Sequence, residues 1–204
     1  MSAHRNWLTY WVKSMNSYFS EAGAFLIGVI MGFLVLMVML RFILQWVRAD
    51  FYNPISQFIV KLSNPMLKPF RRFIPGVGGI DMAAIVLMTT LKFIEILLTF
   101  AISGLPLNIF VILILSMTGL LKLLLYVFIF AIIISAIASW IAPGGYNPAL
   151  SLVSQLTTPV MRPIQRYMKP VSGLDLSPLV ALLLLNLMVM AIPYIQRSLL
   201  GLVT

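Results

Sequence analysis

Long runs of uncharged, mostly apolar residues alternate along the chain with short stretches that hold most of its charges. The run Ala22–Leu40 has 19 uncharged residues, enough for a helix across a hydrocarbon core about 30 Å thick. We extend this first predicted span to residues 22–47, with Trp46 as an interfacial anchor. Three further spans are predicted, over residues 80–102, 119–141 and 174–195. The pattern therefore predicts an all-α integral membrane protein with four transmembrane helices.

Two apolar segments outside these spans are predicted to lie at the membrane surface. Residues 1–21 carry Trp7 and Trp11 at helical spacing among polar residues, which is typical of an interfacial amphipathic helix. Residues 103–118 form a connector whose apolar part is too short to cross the membrane. Glycine and proline precede that part and Thr118-Gly119 follows it, so an interfacial or re-entrant segment is expected.

The chain repeats itself after a shift of 94 residues. Between residues 46 and 86, 12 of 41 positions are identical to their counterparts in 140–180. Chance similarity between apolar helices would match leucine and valine, whereas here polar and turn-forming residues match. The pairs are Asn53/Asn147, Pro54/Pro148, Pro65/Pro159, Pro69/Pro163, Gly79/Gly173 and Asp81/Asp175. We predict two tandem repeats of the same orientation, residues 22–102 and 119–204, each made of a span, a basic segment and a second span.

The basic segments, residues 48–79 and 142–173, read as amphipathic helices that lie in the headgroup plane. Asn53-Pro54 is typical of an N-cap followed by proline at the first helical position. Ile55, Phe58, Ile59 and Leu62 then form one apolar stripe, kept in the second copy by Ala149, Leu152, Val153 and Leu156. Asn64-Pro65 and Thr158-Pro159 are predicted to begin a second short helix in each copy. The candidate lipid- or partner-binding cations are Lys61, Lys68, Arg71, Arg72, Arg162, Arg166 and Lys169.

Several roles are open for these cations, and they overlap. Eight Lys and Arg residues lie in the two basic segments and three lie in the terminal tails, so the positive-inside rule places the segments in the cytoplasm and both termini outside. The cations can also contact anionic lipid on that side, bind a membrane-protein partner or a second copy, or brace the bundle. Direct nucleic-acid binding is not expected, because the net charge of +9 reflects an asymmetry across the membrane.

Charged residues near or inside the spans have structural and functional interpretations. Asp81 and Asp175 precede apolar runs and are predicted to cap those helices, with ion binding or arginine pairing as the alternative. Lys92 and Glu95 lie within the second span at a spacing that lets them neutralise each other. Alternatively, they line a polar pathway or a subunit contact. Arg41 and Lys122 lie near predicted span ends and are expected to snorkel to the interface.

The composition excludes several kinds of chemistry. The chain has no cysteine and one histidine, His4, which argues against thiolate or histidine metal sites and against cysteine nucleophiles. It has no nucleotide-binding lysine loop, nucleophile elbow or HExxH motif. We therefore predict a protein without cofactor or metal that is not an enzyme.

The proline-punctuated basic segments resemble those of the bacterial YggT family, which includes the YlmG proteins and a chloroplast relative. The stretches "DFYNPISQFIVKLSNPMLKPFRRFIP" and "MRPIQRYMKPVSGLDLSPLVALLL" carry the resemblance. It implies a small inner-membrane protein connected with osmotic-stress tolerance, cell-division gene neighbourhoods, nucleoid organisation or assembly of membrane cofactor proteins. Strict repetition fails at Pro75 and Gly76, which face Lys169 and Pro170.

Two functional hypotheses follow from these patterns. In the first, the protein is a non-enzymatic inner-membrane scaffold or assembly factor whose paired basic segments contact anionic lipid and a partner. In the second, an oligomer forms or modulates an ion or osmolyte pathway that uses Lys92 and Glu95. The first is preferred, because the polar residues shared by both repeats lie at the predicted interface and not in mid-membrane.

Overall fold

The computed structural model describes residues 3–141, 147–168 and 175–203, with side chains over 17–139, 147–168 and 175–203. These residues form six α-helices, and no strand longer than one bridge occurs among them. In chain order the helices are α1 Ala3–Trp46, α2 Pro54–Phe73, α3 Met82–Ile102, α4 Ile109–Ile141, α5 Pro148–Tyr167 and α6 Ser177–Leu200. The prediction of an all-α protein is confirmed for the described residues.

Four of the helices are long and apolar enough to cross a membrane. By length and composition these candidate spans are Ser17–Trp46 within α1, Met82–Ile102, Ile109–Ser139 within α4, and Ser177–Leu200. Each matches one of the four spans predicted from the hydrophobic pattern. The chain is therefore a multi-pass membrane protein, with the shorter and more polar helices α2 and α5 between successive spans.

Helix α1 runs without a break from the N-terminal segment into the first span. It ends in a Schellman turn, in which the Arg48 N–H bonds to the Gln45 carbonyl oxygen at 3.2 Å and the Ala49 N–H bonds to Leu44 at 2.9 Å. Arg48 holds the left-handed position of this turn, with φ of 52°. Glycine is the usual residue there, because it has no Cβ to strain the backbone.

Helix α4 begins ten residues earlier than the third span predicted from the sequence. Asn108 caps it by accepting hydrogen bonds from the N–H groups of Phe110 and Val111, at 3.0 and 3.3 Å. Thr118, predicted from the sequence to be part of a break, returns its hydroxyl to the Ile114 carbonyl oxygen at 2.8 Å and leaves the helix intact. Residues 109–118 therefore belong to the third long helix, and only residues 103–108 connect it to α3.

The two basic segments also differ from the prediction of paired short helices. Helix α2 continues through Pro65 and Pro69, and α5 continues through Pro159 and Pro163. Proline removes one backbone hydrogen bond and normally breaks a helix, but Pro65 and Pro69 lie one turn apart on the exposed face. The carbonyl groups that lose their partners can be hydrated there, so each segment is one helix of 20 residues.

The long helices pack in two pairs, α1 with α3 and α4 with α6, and the pairs meet through α3 and α4. Helix α2 lies against α1 and α3, while α5 lies against α4 and α6. The core joins fully buried residues of several helices, including Val38, Ile43, Leu67 and Ile132. This packing places α2 and α5 at one end of the bundle, where α1 and α4 end and α3 and α6 begin.

Candidate functional site

The two basic helices begin with the same side-chain cap. Asn53 accepts a 2.9 Å hydrogen bond from the Ile55 N–H, and Asn147 accepts a 2.8 Å bond from the Ala149 N–H. Pro54 and Pro148 follow as the first helical residues, where a missing N–H leaves no bond unmade. The caps fix where each helix starts and hence which of its faces meets the bundle.

Helix α2 presents three different faces. Ser56, Ile59, Ser63 and Leu67 are buried against the bundle. The apolar side chains of Ile55, Phe58 and Leu62, predicted to share the stripe of Ile59, are instead exposed. The cations Lys61, Lys68, Arg71 and Arg72 are exposed as well. A helix with an outward apolar row beside a basic row is suited to the boundary between hydrocarbon and headgroups.

Helix α5 is more deeply packed than α2. Leu152 and Leu156 are buried, although the residues at the matching positions of the first copy, Phe58 and Leu62, are exposed. Its cations Arg162 and Arg166 are exposed, both in the second half of the helix. The two basic helices therefore present similar cations in different apolar surroundings.

The basic helices contact each other at their N-terminal ends. The Asn53 side-chain amide donates a 2.6 Å hydrogen bond to the carbonyl oxygen of Pro148. Just before α2, the Asp50 N–H donates to the Gln155 side-chain oxygen at 2.7 Å. These bonds join the two helices at their N-terminal ends, whereas most of the exposed cations lie in the second half of each helix. We call the exposed cations of α2 and α5 together the basic surface and define it by Lys61, Lys68, Arg71, Arg72, Arg162 and Arg166.

Exposed aromatic rings lie beside these cations. Phe73 and Tyr167 are the last residues of α2 and α5, stand 94 residues apart, and are 79% and 87% exposed. Tyr52, just before α2, is 90% exposed. Aromatic rings with cations are enriched both at membrane interfaces and in protein-binding sites.

A tight turn between α2 and α3 brings the first candidate aspartate to a basic residue. Val77 and Ile80 exchange two backbone hydrogen bonds, and Gly78 and Gly79 between them have φ of 60° and 82°. Two positive φ values in a two-residue loop identify a type I′ turn, which explains the glycine pair. Asp81 follows directly, accepts a hydrogen bond from the Ala84 N–H at 3.2 Å and forms an ion pair with Arg71. Asp81 is therefore both the cap of α3 and the partner of an arginine.

The second candidate aspartate, Asp175, is also predicted to cap its helix, but it lies one residue before the cap position of α6, which is Leu176 and has no side-chain cap hydrogen bond. Asp175 accepts a hydrogen bond from the Ser177 N–H at 2.9 Å and another from the Gln165 side chain at 3.0 Å. Gln165 stands 94 residues after Arg71, so a neutral amide replaces the guanidinium. The pKa of Asp175 is lowered, first by the nearby Ser177 hydroxyl and then by the Ser177 N–H and Gln165, while desolvation opposes this. The Ser177 hydroxyl itself makes no hydrogen bond to the described residues. The defined contacts of Asp175 are therefore the hydrogen bonds that it accepts from the Ser177 N–H and the Gln165 side-chain amide.

Arg41 is a residue whose position differs from the sequence-based expectation. The sequence predicts that it snorkels, yet it is only 8% exposed and lines a cavity with Arg71 and Asp81. Its burial follows from the packing of α2 and α3 over the end of α1, which no local pattern reveals. Lys122, expected near a span end, is exposed thirteen positions after the start of α4 and lies 5.7 Å from the ring centre of Tyr126.

Lys92 and Glu95 form an ion pair inside α3, with 2.6 Å between the ammonium nitrogen and a carboxylate oxygen. Gly119 of α4 lies beside it, since a Cβ there would come within 3.1 Å of the Lys92 side chain. The second Glu95 oxygen, Oε2, is buried and has no partner. The pair is thus held mainly by its own two charges at the contact between α3 and α4.

The remaining site predictions concern residues outside this surface or outside the described residues. Lys169 and Gly173 fall outside the described residues, as do the side chains of the N-terminal aromatic residues Trp7 and Trp11. Within the described residues, the ion pairs are Arg71–Asp81 and Lys92–Glu95. The other cations of the basic surface are therefore free to contact lipid or a partner.

These features define a class: a helical multi-pass membrane protein with two capped, proline-containing basic helices at one end of its bundle. The protein-family model described as CCB3/YggT matches residues 20–102 and again residues 109–196. The chain belongs to this family.

Similar proteins cover most of the chain. An uncharacterized protein of Pseudomonas aeruginosa is 47% identical over 160 residues, 78% of this chain and 81% of that protein. The protein named YggT of Escherichia coli strain K12 is 34% identical over 175 residues, 85% of this chain and 90% of that protein. A Vibrio alginolyticus protein is 39% identical over 160 residues, 77% of this chain and 85% of that protein. No solved structure gave a significant match to the chain.

Proposed function

We propose that this protein is a non-enzymatic scaffold or assembly factor of the bacterial inner membrane. Its two repeats have the same orientation, and the basic surface faces the cytoplasm, as the positive-inside rule requires. The observation that carries the proposal is the hydrogen bond between Asn53 and Pro148, which joins α2 to α5, the two helices that hold the exposed cations. Because this bond links the two basic helices at one end of the bundle, a partner bound there can meet both of them.

The basic surface has two neighbours in this proposal. Its cations contact anionic headgroups, at about 1 kcal/mol for each cation near such a membrane. Its exposed aromatic residues, Phe73 and Tyr167, meet a membrane-protein partner or a second copy of the chain. The family resemblance connects such a partner with osmotic-stress tolerance, cell division or the assembly of membrane complexes.

Photo-crosslinking from the basic surface tests this function. A photoreactive phenylalanine analogue replaces Phe73 or Tyr167, and crosslinks are formed in intact cells and identified by mass spectrometry. Lys68→Gln, Arg72→Gln and Arg166→Gln are then combined, leaving out Arg71 because it is the partner of Asp81. We expect one defined protein crosslink that the neutral variant loses and that Lys68→Arg, Arg72→Lys and Arg166→Lys together retain.

Two results would argue against the scaffold role. A crosslink pattern that the neutral variant leaves unchanged would show that the cations do not hold the partner. Crosslinks to lipid alone at both positions would leave the surface as a membrane anchor with no partner.

The alternative function is an ion or osmolyte pathway that uses Lys92 and Glu95. The unpartnered Glu95 oxygen at the contact between α3 and α4 is the observation in its favour. Against it, the two charges are paired, and neither the cavity beside Arg41 nor the one beside Arg162 reaches them. Flux of potassium or glycine betaine from proteoliposomes, abolished by Lys92→Leu with Glu95→Leu, would favour the alternative.

A further inference from the structure

A cavity of about 300 Å³ lies where α1 ends, α2 ends and α3 begins. Arg41 and Gln45 line it from α1, Arg71 from α2, and Asp81 from the start of α3. Residues 74–76 complete the wall. The volume is at the lower limit of small-molecule sites, large enough for a headgroup or a small ion with water.

The charges around this cavity do not balance. Arg71 donates to Asp81 and, at 3.2 Å, to the Gln45 side-chain oxygen, so both polar neighbours of Arg41 are already engaged. The Nε and Nη1 atoms of Arg41 are buried and have no hydrogen-bond partner. The chain has five acidic residues in all, and the other four are bonded elsewhere or exposed. The site therefore holds one positive charge more than it neutralises.

A buried, unpaired guanidinium in a membrane span is energetically costly, because both its charge and its N–H donors have lost water. An anion in the cavity would remove both penalties. The planar guanidinium presents parallel N–H groups that match two oxygens of a phosphate. Arg41 lies five residues, about 7.5 Å of helix rise, before the end of α1.

We propose that this cavity binds a phosphate-type oxyanion, with Arg41 as its main ligand. Arg71 also lines the cavity, is 36% exposed, and offers further N–H donors although its charge is paired with Asp81. The ion pair with Asp81 fixes the position of Arg71. The oxyanion comes either from a lipid headgroup or from free phosphate, and the two sources share this chemistry.

The second repeat supplies a matched control. A second cavity, about 250 Å³, lies between α4 and α5 and shares two lining positions with the first: Ser135 stands where the first has Arg41, and Gln165 where the first has Arg71. Its one cation, Arg162, is exposed and so has no unpaired buried charge to neutralise. Only the cavity beside Arg41 is therefore expected to bind the oxyanion tightly.

Thermal unfolding of the purified full-length protein in a neutral detergent tests the site, followed by tryptophan fluorescence. The probes are phosphatidylglycerol, diacylglycerol with the same acyl chains, and inorganic phosphate. We expect phosphatidylglycerol to raise the unfolding midpoint of the wild type and of Arg162→Gln. In Arg41→Gln its apparent affinity should fall by at least about 30-fold, as when one partner of a buried charge pair is lost.

The probes also separate the two sources of the oxyanion. An Arg41-dependent rise with phosphatidylglycerol alone identifies a lipid phosphate, and an Arg41-dependent rise with inorganic phosphate identifies a free ion. The site is overturned if diacylglycerol acts as well as phosphatidylglycerol, if Arg41→Gln responds like the wild type, or if neither phosphate probe has an Arg41-dependent effect.

A second variant covers the case in which Arg41→Gln does not fold. Arg41→Lys keeps the charge but replaces the planar fork with a single ammonium group, so it should weaken the response without abolishing it. An unchanged response in Arg41→Lys would then overturn the site. Neither variant alters Lys68, Arg72 or Arg166. The oxyanion site and the scaffold role of the basic surface can therefore be refuted independently of each other.

Discussion

Asn53, the cap of α2, donates its side-chain amide to the carbonyl oxygen of Pro148, the first residue of α5. The same side chain accepts the Ile55 N–H, so one buried amide both begins a helix and joins the two basic helices. Asn147 caps α5 in the same way but is exposed. Both basic helices are therefore capped by asparagine, but only Asn53 also links α2 to α5.

Substitution by aspartate separates the two tasks of Asn53. Asn53→Asp keeps the acceptor for Ile55 but loses the donor to Pro148, so we expect a loss of about 1–3 kcal/mol in the free energy of unfolding. Asn147→Asp keeps its only described bond and should change stability by less than about 0.5 kcal/mol. Reversible unfolding in detergent measures both. Equal effects of the two substitutions would contradict the bond between α2 and α5.

Substitutions in the glycine turn before α3 test its backbone conformation, with a helical glycine as a control that should change stability in the opposite direction. Gly79 has φ of 82°, and a Cβ added there would meet no atom within 4 Å, so Gly79→Ala costs about 1 kcal/mol through backbone strain alone. Gly79→Asn should cost less, because asparagine tolerates this conformation. Gly28→Ala, in helical backbone of α1 with the same open space, should stabilise the protein by up to about 1 kcal/mol. A tolerated Gly79→Ala would contradict the type I′ turn.

The turn that ends α1 predicts a stabilising substitution. Arg48 holds a left-handed conformation that glycine adopts without strain. Arg48→Gly should therefore raise the free energy of unfolding by about 0.5–1 kcal/mol, measured by the unfolding midpoint in detergent. Arg48→Ala keeps a Cβ and is the control, with no gain expected. A gain from alanine equal to that from glycine would assign the effect to loss of charge.

The environment of Asp175 predicts a dependence of stability on pH. Because its pKa in the folded protein lies below the ordinary value of 3.8, the ionised carboxylate stabilises the fold above that value. This contribution is lost as the pH falls through the folded pKa. Asp175→Asn should therefore be less stable than the wild type near pH 7, and the difference should shrink below about pH 4. A difference that grows on acidification would contradict the hydrogen bonds from Ser177 and Gln165.

The ion pair inside α3 predicts strong coupling between two substitutions. Lys92→Met leaves Glu95 as an unpaired buried charge, which costs about 3–5 kcal/mol. Lys92→Met combined with Glu95→Gln removes both charges and should cost much less than the sum of the two single changes. The free energies of unfolding of Lys92→Met, Glu95→Gln and the double variant complete the double-mutant cycle. Additive effects would show that the two charges do not stabilise each other.

Local signals in the sequence account for the spans and the caps. The lengths of the apolar runs predict four membrane-length helices, and Asn-Pro pairs predict the starts of α2 and α5 because a cap acts within two residues. Asn108 carries the same kind of signal and would have placed the start of α4 correctly. The pair Thr118-Gly119 is instead interpreted as a helix break, which moves the predicted start of the span to residue 119. A threonine hydroxyl can, however, bond back to the preceding turn and leave the helix intact, as Thr118 does.

Features that depend on packing could not be read from the sequence. Pro65 is a helix breaker by its chemistry, and only its exposed position on a docked helix makes continuation tolerable. The sequence shows only that Arg41 lies near the end of a span, and a cation at that position normally snorkels to the interface. Its burial depends on α2 and α3, which contribute Arg71 and Asp81 from thirty and forty residues further along the chain.

The measurement that tests the account most directly is growth after an osmotic shift in a strain that lacks this protein. The strain is rescued with equally expressed wild type, with Lys68→Gln, Arg72→Gln and Arg166→Gln combined, or with Lys92→Leu and Glu95→Leu combined. We predict that only the basic-surface variant fails and that its Lys/Arg-exchanged control, Lys68→Arg with Arg72→Lys and Arg166→Lys, grows normally. Failure of only the Lys92 and Glu95 variant would contradict the scaffold and point to an ion or osmolyte pathway.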